Sequence, residues 1–170
     1  MKIKTADFVF DDYYASDRYR ECAIGWTDSD DVKRFACDDT WHDECGYYMT
    51  ENGYTHLESF YPIIVFDADE KTPLAVMILL CGREYAVTVN PIIVNPALTG
   101  KGYGTRIIAA LIEIINRITT NHNGTIEAGI DSANAASIRA FEKSGFVLSE
   151  THPSGNFLTY RYTINQGDRK

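Results

Sequence analysis

The chain has 170 residues, of which 45% are hydrophobic, and its formal net charge at neutral pH is −8. This length suits one domain with a sizeable core, and we expect a single domain over residues 1–170. The acidic balance argues against DNA or RNA as the main partner. No apolar run approaches the ~20 residues of a membrane span, and the N-terminus lacks the apolar core of a signal peptide. We therefore expect a cytoplasmic protein without a membrane partner.

The negative charge lies in the first third of the chain. Residues 1–60 carry fourteen acidic and six basic side chains, whereas residues 61–170 carry ten of each. Such a surface would attract a cation, although solvated helix faces have the same composition. The pattern predicts a strand over 3–10, a helix over 11–23 and a second helix that begins near residue 27 and ends near residue 37. Residues 38–55 are irregular and rich in aromatic side chains.

Three strands are predicted next, over residues 61–66, 74–80 and 86–94, with a polar hairpin connection between the first two. The third contains Pro91 and ends in the β-branched run Ile92-Ile93-Val94, which predicts burial on both faces. Proline cannot donate a ladder hydrogen bond, so Pro91 indicates a bulge, an opened edge or a plain edge strand.

A glycine-rich turn and a long helix follow this strand. Gly100, Gly102 and Gly104 occupy alternate positions, and apolar residues recur at helical spacing up to Ile118. A turn without Cβ atoms at a helix N-terminus is suited to a phosphate or pyrophosphate. The spacing matches neither the phosphate loop of nucleotide triphosphatases nor the dinucleotide fingerprint. A tight turn without a ligand therefore stays open as the alternative.

A second motif follows a strand predicted over 125–130. It begins at Asn134 and Ser137 and continues through Phe141-Glu142-Lys143 to Gly145-Phe146. Two further strands, over 147–150 and 157–163, would close the chain. The order of elements predicts a mixed α/β fold with one parallel crossover.

Together the two motifs resemble the GNAT superfamily of acetyl-CoA-dependent N-acetyltransferases. The first motif of the family is matched at Val94, Pro96, Gly102 and Gly104, and the second at Asn134, Ser137, Glu142, Lys143, Gly145 and Phe146. The chain departs from the family at Thr99, where Gln or Arg is usual, and at Phe141, where Tyr is usual. The resemblance covers about residues 60–165.

The resemblance implies a mixed sheet of six to seven strands flanked by about four helices, with a splayed pair of parallel strands. Residues 1–60 would form the acceptor side, with roles for Trp26, Trp41, Tyr47 and Tyr48, although each is equally explained as a core aromatic. Residues 61–165 would bind acetyl-CoA as co-substrate. The implied cofactor-binding residues are Ile92, Val94, Thr99, Gly100, Lys101, Gly102, Tyr103, Gly104, Thr105, Asn134 and Phe141.

The family's chemistry is direct attack of an amine on the thioester in a ternary complex. The candidate catalytic residues are Asn134, Ser137 and Asp131. Asn134 is equally suited to cap a helix, and Asp131 to start a turn. Because Phe141 lacks the usual hydroxyl, the thiolate would be protonated by Ser137, a water or another tyrosine. The tyrosines considered are Tyr103, Tyr160 and Tyr162, and the general-base candidates are Glu84, Asp131, Glu58 and His56.

The predicted function is acetyl transfer to the primary amine of a small, cationic acceptor. Two alternatives stay open: an acyl-CoA-binding or regulatory protein with little catalysis, supported by Phe141, and an N-acetyltransferase that modifies proteins or peptides. Small members of the family are often dimers, so a homodimer is also open. Cys37, His42 and Cys45 supply three soft ligands, but their spacing matches no standard zinc module, and we expect no metal.

Overall fold

A computed structural model of the chain describes residues 1–27, 29–35, 59–82, 84–120 and 122–164. The strands are β1 (Lys2–Lys4), β2 (Phe8–Asp12), β3 (Ser59–Asp67), β4 (Pro73–Cys81), β5 (Val87–Val94), β6 (Thr125–Asp131), β7 (Val147–Thr151) and β8 (Phe157–Thr163). The helices of the described ranges are α1 (Asp17–Thr27), α2 (Asp30–Phe35), α3 (Tyr103–Ile118) and α4 (Ala135–Lys143). No helix among them has the length and apolarity to cross a lipid bilayer.

All eight strands form one sheet in the order β1-β2-β3-β4-β5-β6-β8-β7. Every neighbouring pair is antiparallel except β5 and β6, which run parallel. The mixed α/β fold with a parallel pair and four helices is confirmed. The sheet has one strand more than the six to seven expected, because the segment predicted as a single strand over 3–10 divides into β1 and β2 at a turn. Thr5 stabilises this turn, since its hydroxyl accepts from the N–H of Phe8 at 3.0 Å.

The first helix begins later than the sequence pattern predicts. Asp11 and Asp12 belong to β2, and α1 starts only at Asp17. The buried carboxylate of Asp11 accepts a hydrogen bond from the hydroxyl of Tyr19 at 3.0 Å, and Lys2 lies 3.9 Å away. Asp12 caps the following turn through the N–H of Tyr14. Asp11 therefore joins β2 to Tyr19 of α1 and to Lys2 of β1, and Asp12 caps the turn between β2 and α1, so neither residue begins a helix.

The sheet separates two hydrophobic cores. On one face, α3 buries seven residues against strands β2 to β6, and Phe141 of α4 joins the same cluster. On the other face, Ala23 of α1 and Val32 of α2 pack against Ile64, Val76 and neighbouring side chains. Each buried isoleucine or leucine of α3 contributes roughly 1.5–3 kcal/mol, so this helix is fixed in place by its apolar stripe. The residue that begins α3 is thereby held at a constant position beside the end of β5.

Candidate active site

A cleft opens where β5 and β6 separate. The two strands pair only over Val87–Val89 and Ile126–Ala128. Beyond these residues β6 continues to pair with β8, whereas β5 turns away from it. A cavity of about 690 Å³ fills the resulting gap and continues to the N-terminus of α3 and along α4. The splayed parallel pair expected from the resemblance is therefore present.

The separation coincides with a β-bulge at Pro91. Val89 lies opposite Leu79 and Ile92 lies opposite Met77, so Asn90 and Pro91 together face the single residue between them on β4. A bulge bends the strand and exempts its extra residue from the ladder, which suits a proline. It resolves the alternatives left open for Pro91 in favour of a bulge at an opened edge.

The bulge also reverses which side chains of β5 face α3. Val87 and Val89 belong to the core under α3 before the bulge, and Ile92 and Val94 contact that core after it. Ile93 is instead buried in the opposite core. The prediction that this run is buried on both faces was wrong for Ile92 and Val94, which are half-buried and line the cleft. Their side chains form its apolar floor.

The glycine turn supplies a cradle of backbone N–H groups at the N-terminus of α3. Gly100 and Gly102 have φ of 78° and 79°, a left-handed conformation that glycine adopts without strain. No described atom lies within 4 Å of a Cβ built at either position. The N–H groups of Tyr103, Gly104 and Thr105 have no acceptor in the described part of the chain. The first turn of α3 therefore presents free donors to the cleft, which is the arrangement that binds phosphate.

Helix α4 forms the opposite wall of the cleft. The side-chain oxygen of Asn134 caps this helix by accepting from the N–H of Ser137 at 3.1 Å. The Asn134 amide nitrogen and the Ser137 hydroxyl make no hydrogen bond within the described ranges, and both residues line the cleft. Phe141 is 2% exposed and its ring stands edge-on to that of Phe146, with 4.9 Å between centroids. Asn134 therefore caps α4 with its side-chain oxygen, and its side-chain NH2 group stays available as a donor.

The structure brings most of the predicted site residues together. The following line the cleft: Ile92, Val94, Thr99, Gly100, Gly102, Tyr103, Gly104, Thr105, Asn134, Ser137 and Phe141. Lys101 and Asp131 do not. The ammonium of Lys101 donates to the carbonyl of Ala97 at 3.1 Å, and a carboxylate oxygen of Asp131 accepts from the N–H of Ala133 at 2.7 Å. Asp131 therefore has the turn-forming role that was its alternative.

The candidate acids and bases that remain lie in different parts of the molecule, and few of them are at the cleft. Tyr103 lines the cleft. Tyr160 is buried and its hydroxyl donates to Glu142 at 3.0 Å; burial and this bond raise its pKa. Tyr162 packs against Phe146, and Glu84 is exposed on the turn before β5. His56 and Glu58 lie outside the described residues. Only Tyr103 of the three tyrosines therefore faces the cleft.

Of the aromatics predicted for the acceptor side, Trp26 packs against the second core and its ring N–H donates to the carbonyl of Cys22 at 2.9 Å. Trp41, Tyr47 and Tyr48 lie outside the described residues, as do Cys37, His42 and Cys45. Within the described ranges, no three His, Cys, Asp or Glu side chains come together as a metal site. From the first third of the chain, the described cleft is lined by Ser29, which directly precedes α2, and by Val32 and Phe35 of α2.

Among the cleft-lining residues that the sequence pattern missed are Phe157, Arg139 and Lys143. Phe157 is 53% exposed, and its ring lies beside Gly129, where a Cβ would be in ordinary contact with it at 3.8 Å. Arg139 and Lys143 are four residues apart on α4, a spacing that places them on one helix face and that was visible in the sequence.

A model of the GNAT acetyltransferase domain matches residues 6–147. The chain belongs to the GNAT acetyltransferase family. No curated protein sequence matches it significantly. Among solved structures, spermidine N-acetyltransferase from Vibrio cholerae, crystallised with CoA and spermine, is similar with a TM-score of 0.69 at 14% identity, over 94% of this chain and 97% of that one.

Two further GNAT structures have the same fold. The aminoglycoside acetyltransferase AAC(6')-Ib, crystallised with coenzyme A, gives a TM-score of 0.68 at 16% identity, over 95% of this chain and 96% of that one. A GNAT acetyltransferase from Bacillus anthracis gives a TM-score of 0.67 at 17% identity, over 96% and 98%. The likeness extends over nearly the whole chain, including the first third that the motifs did not cover.

Acetyl-CoA is the co-substrate of this family, and the cleft fits it. The free N–H groups of α3 suit a pyrophosphate, and the open space over Gly100 and Gly102 is the space that a Cβ would fill. The narrow gap between β5 and β6 suits the pantetheine arm. Gly104 lies close to both walls, since a Cβ there would be in ordinary contact with Ala140 at 3.7 Å and with Val94 at 3.8 Å.

The two cysteines of the described ranges lie away from the cleft. Burial raises the pKa of Cys81 to about 12, and burial also raises the pKa of Cys22. Both thiols stay protonated near neutral pH, and a protonated thiol is a poor nucleophile. Neither residue lines the cavity. Neither of these two cysteines is therefore a candidate for a covalent acyl-enzyme intermediate.

Proposed function

We propose that this protein transfers the acetyl group of acetyl-CoA to the primary amine of a small cationic acceptor. The observation that carries the proposal is the cleft between β5 and β6, which both GNAT motifs line and into which the N-terminus of α3 opens. Spermine and kanamycin, named with the structurally similar acetyltransferases, are both small polycationic amines. The acidic first third of the chain, whose helix α2 borders the cleft, favours an acceptor of that charge.

The residues of the cleft have separate tasks in this proposal. Backbone N–H groups beside Val94 polarise the thioester carbonyl. The N–H groups of Gly100, Gly102, Gly104 and Thr105 hold the pyrophosphate. The amide nitrogen of Asn134 donates to the pantetheine arm or to a water bound there. The acceptor amine attacks the carbonyl carbon, the bond from carbon to sulfur breaks, and the thiolate leaves with the electron pair.

Two protons must move in this reaction. The thiolate takes one from the hydroxyl of Ser137 or Tyr103, the hydroxyl-bearing side chains among the predicted acids that line the described cleft. The amine loses the other. No carboxylate or imidazole of the described residues lines the cleft, and Asp131 is bound to its own turn. We therefore propose that water at the cleft mouth accepts the proton that the amine loses. We expect the rate to rise with pH as the acceptor amine becomes neutral.

The test is thiol release from acetyl-CoA in the presence of spermidine, spermine or kanamycin, with desulfo-CoA as a competitive inhibitor. We expect release that depends on both substrates, and acetylated amine by mass spectrometry in equal amount. Acetyl-CoA binding without transfer to any primary amine would overturn the proposal. It would favour the second candidate, an acyl-CoA-binding protein, for which the buried Phe141 without a hydroxyl is the specific observation.

A further inference from the structure

The cleft has an uneven charge distribution that the proposed chemistry does not use. Arg139 and Lys143 line it, and no Asp or Glu among the described residues does. Both cationic side chains are exposed, and neither forms an ion pair within the described ranges. Exposed arginines elsewhere are of two kinds: Arg106 pairs with Asp7 at 3.0 Å and Arg161 pairs with Glu127, whereas Arg18, Arg34 and Arg117 form no ion pair within the described ranges. Arg139 and Lys143 differ from the second kind because they line the cavity. Two unpaired cations that face a cavity indicate an anionic group in the ligand.

The placement of these cations separates them from the glycine turn. They lie four residues apart on α4, so their Cβ atoms are about 5–6 Å from each other on one helix face. The C-terminal end of α4 lies against the first turn of α3: the hydroxyl of Ser144, which donates to the carbonyl of Ala140 at 2.8 Å, is 3.2 Å from the carbonyl oxygen of Thr105. The two cations therefore lie beside the free N–H groups of α3 but belong to another element.

The acidic residue of α4 is held away from them. Glu142 stands between Arg139 and Lys143 in the sequence, yet it does not line the cleft. Its carboxylate accepts the hydrogen bond of the buried Tyr160 hydroxyl on β8. The helix thus presents its positive groups to the cavity and its negative group to the sheet, which leaves the positive potential of the cleft wall uncompensated.

Coenzyme A carries a second anionic group apart from its pyrophosphate, the phosphate monoester at the ribose 3′ position. The N–H groups of one helix terminus suit the pyrophosphate, but a separate phosphate needs separate donors. A guanidinium binds two phosphate oxygens at once, and a lysine adds a compact positive charge. We propose that Arg139 and Lys143 bind the ribose 3′-phosphate of coenzyme A and so make the cleft selective for CoA over 3′-dephospho-CoA.

This inference rests on the proposed use of acetyl-CoA and adds the residues that recognise its third phosphate. Lys101, although predicted to contact the cofactor, is outside the cavity and bonded to Ala97. Lys143 also stands in the last turn of α4, where a positive charge stabilises the helix C-terminus. Arg139 has no such second task, so it is the more informative of the two to change.

The experiment compares CoA and 3′-dephospho-CoA by calorimetric titration. The proteins are the wild type, Arg139→Ala, the double variant Arg139→Ala/Lys143→Ala, and Arg117→Ala as control. Arg117 is an exposed arginine in the last turn of α3 and does not line the cleft. We expect the wild type and the control to bind CoA about tenfold or more tightly than the dephospho form, as charge-assisted bonds to one phosphate allow.

In the double variant we expect this preference to fall to nearly one, because CoA binding weakens while 3′-dephospho-CoA binding stays. Arg139→Ala should give an intermediate ratio. The CoA preference of the wild type should also shrink as ionic strength rises, since the cations are exposed. Without ligand, the melting temperature of Arg139→Ala should match that of the wild type, and the double variant and Arg117→Ala should each melt slightly lower, because each loses one charge at a helix C-terminus. Loss of the CoA preference in the double variant but not in Arg117→Ala therefore separates a binding effect from a folding effect.

Equal weakening of both ligands in the double variant would overturn the inference, because the cations would then act on the pyrophosphate. A wild type that does not distinguish the two ligands would overturn it as well, and both results leave the acetyltransferase proposal standing. Binding of neither ligand would instead overturn the proposed function together with the inference.

Discussion

The two halves of the sheet on either side of the β5–β6 junction differ in how they are buried. Every residue of β4 after the first is buried, whereas all five residues of β7 are exposed. Among the described residues, helices cover the β4 half on both faces, whereas only α4 covers the β7 half and no further strand pairs with the outer edge of β7. The cleft therefore lies between two unlike halves of the sheet. The fixed half contains β4 and holds the start of α3, and the thin half contains β7 and supplies α4 and Phe157.

We expect the greatest change in stability when core volume is removed in the fixed half. Leu79 in β4 is fully buried, and Leu79→Ala should lower the free energy of unfolding by about 2–5 kcal/mol. The matched change in the thin half is Leu148→Ala, whose side chain is half exposed on β7. It should alter the free energy by less than about 0.5 kcal/mol. Urea unfolding followed by circular dichroism measures both, and equal losses would contradict the comparison.

The next effect concerns ligand binding on the fixed half. Gly102→Val should weaken CoA binding at least about 100-fold, because a branched side chain would fill the space over the free N–H groups. Gly155, in the turn between β7 and β8, is the matched control: its φ is 73° and a Cβ there also meets no described atom within 4 Å. Gly155→Val should carry the same backbone strain, about 1–2 kcal/mol, and bind CoA normally.

Calorimetry on both valine variants decides this point. If Gly155→Val lost CoA binding as well, the loss would come from backbone strain and the glycine turn would no longer be assigned to the cofactor. Unchanged affinity in Gly102→Val would have the same consequence.

The smallest effect is expected in the wall of the thin half. Phe141→Tyr should raise turnover by roughly tenfold, less than the 10²–10⁴ of a full general acid, because Ser137 or Tyr103 already serves. Phe146→Tyr is the control, since that ring is buried beside Phe141 but does not line the cleft. Steady-state kinetics with saturating amine measures the change. An equal rise in both variants would show that the new hydroxyl acts through packing and not on the thiolate.

The fixed half was the more predictable from the sequence. The apolar stripe of α3, the glycine turn and the consecutive apolar residues of β4 are local patterns, and local patterns indicate an element directly. Pro91 indicated a break in the regular pairing of its strand, and the structure shows that a β-bulge accommodates it. The late start of α1 was missed, because Asp11 is held in β2 by Tyr19 and Lys2, and no local pattern records these contacts.

The site was predictable where a motif carried it and not where packing decided it. The motifs located Gly102, Gly104 and Asn134, because their backbone roles leave a sequence signature. Phe157 had no such signature, since it reaches the cleft only through the pairing of β8 with β6. Asp131 had the chemistry of a base, but its hydrogen bond to Ala133 became visible only in three dimensions. The roles of all these residues in catalysis and binding stay predictions.

The bulge at Asn90 and Pro91 has a consequence for protein engineering. The extra residue of the bulge turns every later side chain of β5 to the other face of the sheet. The strand therefore consists of two segments whose inward and outward positions alternate in opposite order. Deleting that residue would turn Ile93 toward α3 and would withdraw Ile92 and Val94 from the cleft. Chimeras between this chain and other acetyltransferases should therefore exchange residues 87–94 as one block. A junction within the block would keep a similar strand composition, but the side chains on one side of the junction would point to the wrong face of the sheet.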